Sequence, residues 1–384
     1  MSGSTARRGA AVFSLFFCSL SLFAQGEALV EANLKQAVKV DPGSGDANYR
    51  LGEFYLHAGK LSEGIPYMEK AVALQPGNYV AGYDLALAYF DARDYKKARQ
   101  QIQSMLKTQN AAELHGLLAD VEEGAGDYRR AAAEYQIAAQ IDPSEDHIFD
   151  WGTEFLLHQT YDPAITILVH GVDLHPRSLK LNVGFGIALY LDQQYDKGLK
   201  QLCLATDLNP YEKWPYLFLG SSYAALSSRF ETDEVKKRLK RFAVDQPRNA
   251  RALYYYAVSL WDRNQASEQD ASEAQSLLKK AVELDPSFAD AHLQLGIFYS
   301  DRGNYHGAVG ELLSALAVQP NLTVAHYHLA QAYTRTGQKD LAKKELKIFE
   351  RLRSADTEES QADRNRIVQF VVNMRDQPGA AANK

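Results

Sequence analysis

Proline recurs in this sequence at a nearly constant interval, and that interval restricts the fold more than any other feature. Segments such as AVKVDP (37–42), AVALQP (71–76) and AVELDP (281–286) each end an apolar run at a proline. Once Asn110 is counted as the missing member, successive endings lie 33 to 39 residues apart. A fixed period in this range indicates a repeat architecture, in which each proline ends one helix and opens a turn. The prolines are Pro42, Pro76, Pro143, Pro176, Pro210, Pro247, Pro286 and Pro320.

Residues 289–320 show what one period contains. His292, Leu295, Gly296 and Tyr299 follow the spacing i, i+3, i+4, i+7, which places them on one face of a helix. The turn residues of RGNY interrupt this pattern, and a second apolar helical face follows up to the closing proline. The sequence therefore predicts one antiparallel pair of helices, a hairpin, in each period.

The expected fold is all-α, an α-α superhelix (solenoid) of about nine hairpins within residues 27–356. A half-repeat helix at about 28–41 precedes the first hairpin. We expect two longer turns between paired helices, around 227–234 and 262–272, and a capping box formed by Ser287 with Asp290. The predicted hairpins begin near residues 45, 79, 112, 145, 179, 213, 250, 289 and 323.

The sequence of the C-terminal segment predicts a helix that caps this array. Ile367, Phe370, Val371 and Met374 share one helical face within residues 357–376. Repeat arrays need such a cap, because their last hairpin otherwise leaves an apolar face in water. Residues 377–384 are expected to form a flexible tail.

The N-terminus has the composition of a secretory signal. Arg7 and Arg8 precede an apolar run at 10–24, and small residues follow it. The run is shorter than the roughly 20 residues that a membrane span needs. We expect residues 1–26 to be a cleaved signal peptide and the protein to be exported to the periplasm or cell surface, with an uncleaved membrane anchor as the alternative. Its removal would leave Cys203 as the one cysteine, which excludes an internal disulfide.

Small residues recur at fixed places in the periods and point to a known family. Leu51-Gly52, Tyr55, Ala71 and Pro76 stand where the tetratricopeptide repeat has Leu-Gly/Ala, Tyr, Ala and Pro. The sequence resembles that family over most of its length. The resemblance implies a scaffold in which the first helix of each hairpin lines a concave groove that binds other proteins.

In that family, five positions of each first helix face the groove. Carried onto this sequence, those positions are rich in aromatic side chains, which supply a large apolar area with a polar edge. The predicted partner-binding residues are Tyr49, Arg50, Tyr83, Asp84, Phe90, Phe149, Asp150, Tyr190, Trp214, Phe218, Tyr254, Tyr255, Trp261, Tyr327 and His328.

One familiar ligand class of the family is not supported. Members that hold the carboxylate terminus of a chaperone use Lys and Asn at the fifth and ninth positions of one first helix. Here the corresponding pairs include Tyr49 with Glu53, and Tyr327 with Gln331. A chaperone C-terminus is therefore not the expected partner.

Catalytic and metal-binding patterns were not found in the sequence. It contains no GxGxxG, GxxxxGK[ST], GxSxG, HExxH or CxxC motif. His326 and His328 are two residues apart on a helix, so they point to different faces. We expect a protein that is not an enzyme and has no cofactor and no metal site.

The net charge of −6 gives no basic face for nucleic acid. The favoured function is a scaffold that holds an extended segment of a partner protein in the aromatic groove, in the periplasm or cell envelope. A carbohydrate-binding or enzyme-accessory protein of an envelope glycan assembly or export system is the alternative, because aromatic rings also stack on sugars.

Overall fold

The structure is a computed structural model that describes residues 27–226, 233–261 and 266–353. Those residues form nineteen helices and no strands, and the predicted all-α repeat fold is confirmed. The predicted signal peptide, capping helix and tail lie outside the described residues. The chain divides into two compact units, Met1–Pro143 and Ser144–Lys384, called here the N-terminal and the C-terminal unit.

The N-terminal unit contains one leading helix and three hairpins. Within it, α3 packs on α4 and α5 packs on α6, so that neighbouring hairpins stack. Its helices are α1 (27–40), α2 (Gly45–His57), α3 (Leu61–Leu74), α4 (Tyr79–Asp91), α5 (Tyr95–Leu106), α6 (Ala112–Gly124) and α7 (Tyr128–Ile141).

The C-terminal unit contains six hairpins, which also pack on their neighbours in chain order. Its helices are α8 (Glu145–Leu157), α9 (Tyr161–Leu174), α10 (Leu179–Leu191), α11 (Tyr195–Leu208), α12 (Trp214–Leu226), α13 (Asp233–Asp245), α14 (Ala250–Leu260), α15 (Glu268–Leu284), α16 (Ala289–Asp301), α17 (Tyr305–Val318), α18 (Thr323–Arg335) and α19 (Lys339–Arg353).

Most repeat prolines are followed by a residue that caps the next helix. Ser44 and Ser178 each accept a hydrogen bond at Oγ from the backbone N–H three residues later, at 3.1 Å. Asn78 accepts the equivalent bond at 3.2 Å. The proline therefore ends one helix, and the polar residue that follows starts the next.

The predicted capping box at the start of α16 is wrong. The N-cap is Phe288, which offers no side-chain bond. The hydroxyl of Ser287 instead donates to Asp285 Oδ1 at 2.6 Å. Asp285 holds the serine in the turn that follows α15, so Ser287 does not cap the helix.

The small residues allow the two helices of a hairpin to touch through their backbones. A Cβ placed on Gly64 would lie 2.9 Å from the carbonyl oxygen of Gly52. On Gly198 it would lie 3.0 Å from the carbonyl oxygen of Gly186. Real Cβ atoms essentially never come closer than 3.0 Å to such an atom and rarely come as close as 3.0 Å, so larger residues at these two positions would press the paired helices apart.

A polar side chain early in several first helices ties the hairpin to the preceding proline turn. His292 and His326 contact the carbonyl oxygens of Pro286 and Pro320 through Nε2, at 3.2 and 2.9 Å. Their Nδ1 atoms contact glutamates of the paired second helix at 2.7 and 2.6 Å. These buried rings thus satisfy polar groups at the hairpin base.

Both expected long turns are partly helical, and the first ends where α13 begins at Asp233. Ser267 caps α15, which runs for 17 residues from Glu268. Residues that the sequence assigned to the turn therefore extend this helix at its N-terminus. Residues 227–232 and 262–265 lie outside the described residues.

Candidate partner-binding surface

Within each unit, first helices adjoin one another, and this brings equivalent positions of successive hairpins together. In the N-terminal unit α4 contacts α6, and in the C-terminal unit α8 contacts α10, α12 contacts α14 and α16 contacts α18. The predicted groove residues therefore lie in rows that run from hairpin to hairpin within a unit.

The row in the N-terminal unit begins with a tyrosine hydroxyl that lies between two carboxylates. The Tyr49 hydroxyl on α2 lies 2.8 Å from Asp84 Oδ2 on α4 and 3.3 Å from Glu53 Oε1 on its own helix. Burial and then the charges of Asp84 and Glu53 raise the pKa of Tyr49. The tyrosine is thus kept as a neutral hydroxyl that donates to a carboxylate.

A second tyrosine lies among carboxylates on α4 and α6. The Tyr83 ring stacks on the Tyr79 ring, with centroids 6.3 Å apart. Burial first, and then the charges of Asp120 and Glu113, raise the pKa of Tyr83. We call the six residues of this region the tyrosine–carboxylate surface: Tyr49, Glu53, Tyr83, Asp84, Glu113 and Asp120.

Two further predicted residues of this unit lie beside that surface. Arg50 is exposed, and its Nε is 3.1 Å from Asp46 Oδ2 one helical turn earlier. Phe90 is half-buried, with its ring 6.1 Å from the ring of Tyr95.

In the C-terminal unit, α8 and α10 use their groove positions to pack on each other. Phe149 is fully buried, and Lys180 Nζ lies 4.9 Å from its ring centre. The same Nζ pairs with Asp146 Oδ1 at 2.6 Å. A Cβ on Gly184 would come within 2.9 Å of the Phe149 ring, so the ring occupies the space that this glycine leaves. Asp150 is half-buried.

The next two predicted aromatic residues join α10 to α12. The ring centroids of Tyr190 and Phe218 are 6.4 Å apart in an edge-to-face arrangement. Phe218 is buried, whereas Tyr190 and Trp214 are half-buried. Trp214 is the first residue of α12.

Helix α14 and its C-terminal cap, Trp261, carry three predicted residues with different surroundings. Tyr255 is buried against Gly220, where an added Cβ would lie 2.3 Å from the tyrosine ring. Tyr254 is half-buried and packs edge-on against Phe288 at 5.0 Å. Trp261 lies 4.6 Å from Phe298, and its buried indole N–H has no acceptor among the described residues.

The last first helix, α18, presents the most exposed ring of the predicted set. Tyr327 is 38% exposed, with its ring 5.4 Å from that of His328 and 5.3 Å from that of Phe349 on α19. His328 is half-buried.

Three of the fifteen predicted residues, Phe149, Phe218 and Tyr255, are therefore buried between hairpins. The other twelve are half-buried or exposed. Their binding of a partner stays a prediction.

Of the four carboxylates of the tyrosine–carboxylate surface, only Asp84 was among the residues predicted from the sequence. A count of charged residues on each first helix would have indicated the others. Helices α2, α4 and α6 carry eight Asp and Glu residues and one arginine. The six first helices of the C-terminal unit carry six acidic residues and three Lys or Arg. The negative charge is therefore concentrated on the first helices of the N-terminal unit.

Within the described part of the chain, none of the helices has both the length and the apolar character needed to cross a membrane.

Comparison with known proteins identifies the repeat. Profiles of the tetratricopeptide repeat match residues 56–121 and 265–322, residues 31–79 and residues 324–347. The predicted repeat type is therefore confirmed.

Two curated relatives are similar at low identity. BBSome complex member BBS4 of Bos taurus is 26% identical over 259 residues, which cover 64% of this chain and 49% of BBS4. TPR repeat-containing protein YpiA of Bacillus subtilis is 21% identical over 332 residues, which cover 85% of this chain and 68% of YpiA. This chain thus spans about half the length of BBS4 and two thirds of YpiA.

One solved structure supports the fold. The C-terminal part of a TPR repeat-containing protein from Cytophaga hutchinsonii matches with a TM-score of 0.50 at 16% identity, over 73% of this chain and 99% of that one.

Proposed function

We propose that this chain of tetratricopeptide repeats is a non-catalytic scaffold that holds an extended segment of a partner protein along its first helices. Tetratricopeptide-repeat proteins are generally protein-interaction scaffolds. The observation that supports a partner on this side of the hairpins is that the first helices of each unit carry half-exposed rings, Tyr49 and Tyr83 in the N-terminal unit and Trp214 and Tyr327 in the C-terminal unit.

Aromatic rings suit this role because they bring much contact area at little loss of side-chain freedom. Tyr and Trp also place a polar edge beside the ring, and they are enriched among the residues that dominate binding energies. An extended segment is favoured over a globular face because successive hairpins repeat the same few positions at regular intervals.

We place this activity in the periplasm or cell envelope on the basis of the N-terminal composition, with Arg7 and Arg8 before the apolar run at 10–24. Cell fractionation, together with sequencing of the mature N-terminus, tests this placement. A mature chain that begins near residue 27 in the envelope fraction supports it. An uncleaved chain in the cytosol contradicts it.

The binding proposal is tested by crosslinking capture from native envelopes. The test variant is Trp214→Ala with Tyr327→Ala. The control is Tyr211→Ala, which removes a ring that is 86% exposed in the turn before α12. Circular dichroism and the melting temperature establish that all variants remain folded.

We expect the wild type and the Tyr211 control to capture the same partner protein and the double variant to lose it. Equal capture by all three contradicts the proposal. Loss of a bound polysaccharide, with protein capture unchanged, favours the alternative of a glycan-binding accessory protein, whose sugars would stack on the same rings.

A further inference from the structure

The tyrosine–carboxylate surface has a feature that specifies the chemistry of its partner. We propose that it binds lysine or arginine side chains of an extended segment, with the pair Tyr49 and Asp84 as the central contact. This inference rests on the proposed function and adds the class of partner for the N-terminal unit.

The first argument is a recurring arrangement of three side chains. Tyr89 donates its hydroxyl to Glu69 Oε1 at 2.6 Å, and Lys97 Nζ contacts the same oxygen at 3.0 Å. Lys97 Nζ also lies 5.0 Å from the centre of the Tyr89 ring. The lysine is thus held by the carboxylate and by the face of the ring together.

The same arrangement occurs at the leading helix. Tyr55 donates to Glu31 Oε1 at 2.8 Å, and Lys35 Nζ lies 2.6 Å from that oxygen. Lys35 Nζ is 5.9 Å from the Tyr55 ring centre. Besides Tyr49, three tyrosines of this unit donate to a carboxylate among the described residues, and two of them, Tyr55 and Tyr89, are accompanied by a lysine; the third is Tyr135, which donates to Asp120.

The pair Tyr49 and Asp84 has the tyrosine and the carboxylate without a cation from the chain. The hydroxyl donates to Asp84 at 2.8 Å. Among the described residues, no Lys or Arg pairs with Asp84 or with Glu53, and none lies over the Tyr49 ring. The basic side chain beside Glu53 is His57, whose Nε2 lies 4.0 Å from Glu53 Oε1. The half-buried ring and the two carboxylates thus form the receiving part of the arrangement seen at Tyr55 and Tyr89.

The second argument is the distribution of charge within the unit. The second helices α3, α5 and α7 carry six Lys or Arg and three Glu, the opposite balance to the first helices. Some first-helix carboxylates are neutralised internally: Arg99 binds Glu122 through two bonds of 2.6 Å, and Arg50 pairs with Asp46. Asp84 and Glu53 have no Lys or Arg partner among the described residues, and their negative charge favours a cationic partner on the first-helix side.

The probe is a fluorescein-labelled peptide of twelve residues in which lysine alternates with glycine, and a matched peptide has glutamine in place of lysine. Anisotropy titrations are run with the full chain at low and at physiological salt. We expect the lysine peptide to bind, with affinity that falls as salt rises, and the glutamine peptide to bind much more weakly.

The test variant is Glu53→Gln with Asp84→Asn, which keeps side-chain size and the acceptor for Tyr49. The control is Glu63→Gln with Glu283→Gln, two exposed positions on second helices with the same change in net charge. We expect about a tenfold loss of affinity in the test variant, as for charge-assisted contacts, and less than about twofold in the control.

A zero-length carbodiimide crosslink locates the contact, because it joins a carboxylate directly to a lysine amine. Adducts on the segments that contain Glu53 or Asp84 support the inference. Equal binding by test and control variants, or adducts spread over all exposed carboxylates, overturns it.

Two other outcomes overturn it while leaving the proposed function intact. If the lysine peptide does not bind but envelope capture still depends on Trp214 and Tyr327, the partner is not cationic at this unit. If sedimentation shows a salt-sensitive dimer that the test variant abolishes, the acidic surface binds the basic second helices of another copy.

Discussion

The hairpins α2/α3 and α10/α11, one from each unit, share their packing and differ in what they offer to a partner. Asn48 and Asn182 each donate to the carbonyl oxygen of the preceding repeat proline, at 3.3 and 3.2 Å. Gly64 and Gly198 stand at the same backbone contact. The framework of the two hairpins is therefore the same.

The groove positions of these two hairpins have little in common. Tyr49 and Glu53 of α2 are partly exposed, whereas Val183 and Ile187 of α10 are fully buried. In α10 the positions are taken up by packing within the unit, as Phe149 against Gly184 shows. The position of a residue in the repeat thus determines where it lies along the hairpin. The residues of the adjacent hairpins determine whether it is exposed and can contact a partner.

The largest expected effect on stability comes from exchanging the residues at the equivalent positions 53 of α2 and 187 of α10. Ile187→Glu would bury an unpaired charge and should cost more than about 4 kcal/mol in the free energy of unfolding. The reciprocal Glu53→Ile changes a partly exposed position and should stay within about 0.5 kcal/mol. Urea denaturation measures both. Similar losses for the two changes would mean that the hairpins do not differ as described.

The shared framework is tested by Gly64→Ala and Gly198→Ala. Each new methyl would press on a backbone oxygen that cannot move alone, so we expect losses of about 1–3 kcal/mol in both hairpins. Gly310→Ala is the control, because it lies in α17 with nothing within 4 Å of the added Cβ. It should gain up to about 1 kcal/mol in helix propensity. A tolerated change at either test glycine would contradict the common packing.

A smaller difference between the two hairpins is whether the side-chain oxygen of the asparagine accepts a hydrogen bond. Asn182 Oδ1 accepts a hydrogen bond from Gln201 Nε2 at 2.6 Å, but Asn48 Oδ1 has no partner among the described residues, because Tyr67 stands at the equivalent place. Gln201→Met should therefore cost about 1–2 kcal/mol, and Tyr67→Phe about 0.5 kcal/mol or less. Thermal denaturation compares them, and equal effects would show that the Gln201 bond is unimportant.

The smallest expected effect depends on pH and concerns α11 alone, since Ala73 replaces Asp207 at the equivalent place in α3. Burial acts to raise the pKa of Asp207, but hydrogen bonds from Arg238 and Arg241 outweigh it and hold the pKa below its ordinary value. A lowered pKa in the folded state gives stability above the unfolded value of about 4, which is lost as the pH falls through the folded value.

Asp207→Asn should therefore cost about 1 kcal/mol at neutral pH, a modest figure because the carboxylate is 38% exposed. The deficit should shrink as the pH falls below the unfolded pKa of about 4 and disappear once the pH lies below the lowered folded pKa. Denaturation of both proteins across this pH range gives the comparison. A deficit that persists in acid would exclude the ion pairs as its source.

The sequence predicted the fold well because its determinants are local. A proline that ends a helix and a small residue at a close backbone contact act within a few residues of themselves or within one hairpin. The capping box at Ser287 failed because Asp285, only two residues away, competes for the same hydroxyl.

The candidate site was less predictable because exposure depends on the neighbouring hairpin. Phe149 and Tyr255 occupy groove positions, yet they are buried against Gly184 and Gly220 of adjacent first helices. Those glycines are visible in the sequence, but only the packed arrangement shows which ring fills each space. The carboxylates around Tyr83 were likewise separated along the chain and are brought together by α4 and α6.

The central claim is that the first helices carry the partner, and site-specific photocrosslinking tests it most directly. A benzophenone side chain is placed at Trp214, Tyr254 or Tyr327 on first helices, and at Tyr211 as the control in a turn. We predict adducts at the three first-helix positions that map, in chain order, to one continuous segment of a single partner. Adducts from Tyr211 alone, or adducts scattered over unrelated proteins, would contradict the account.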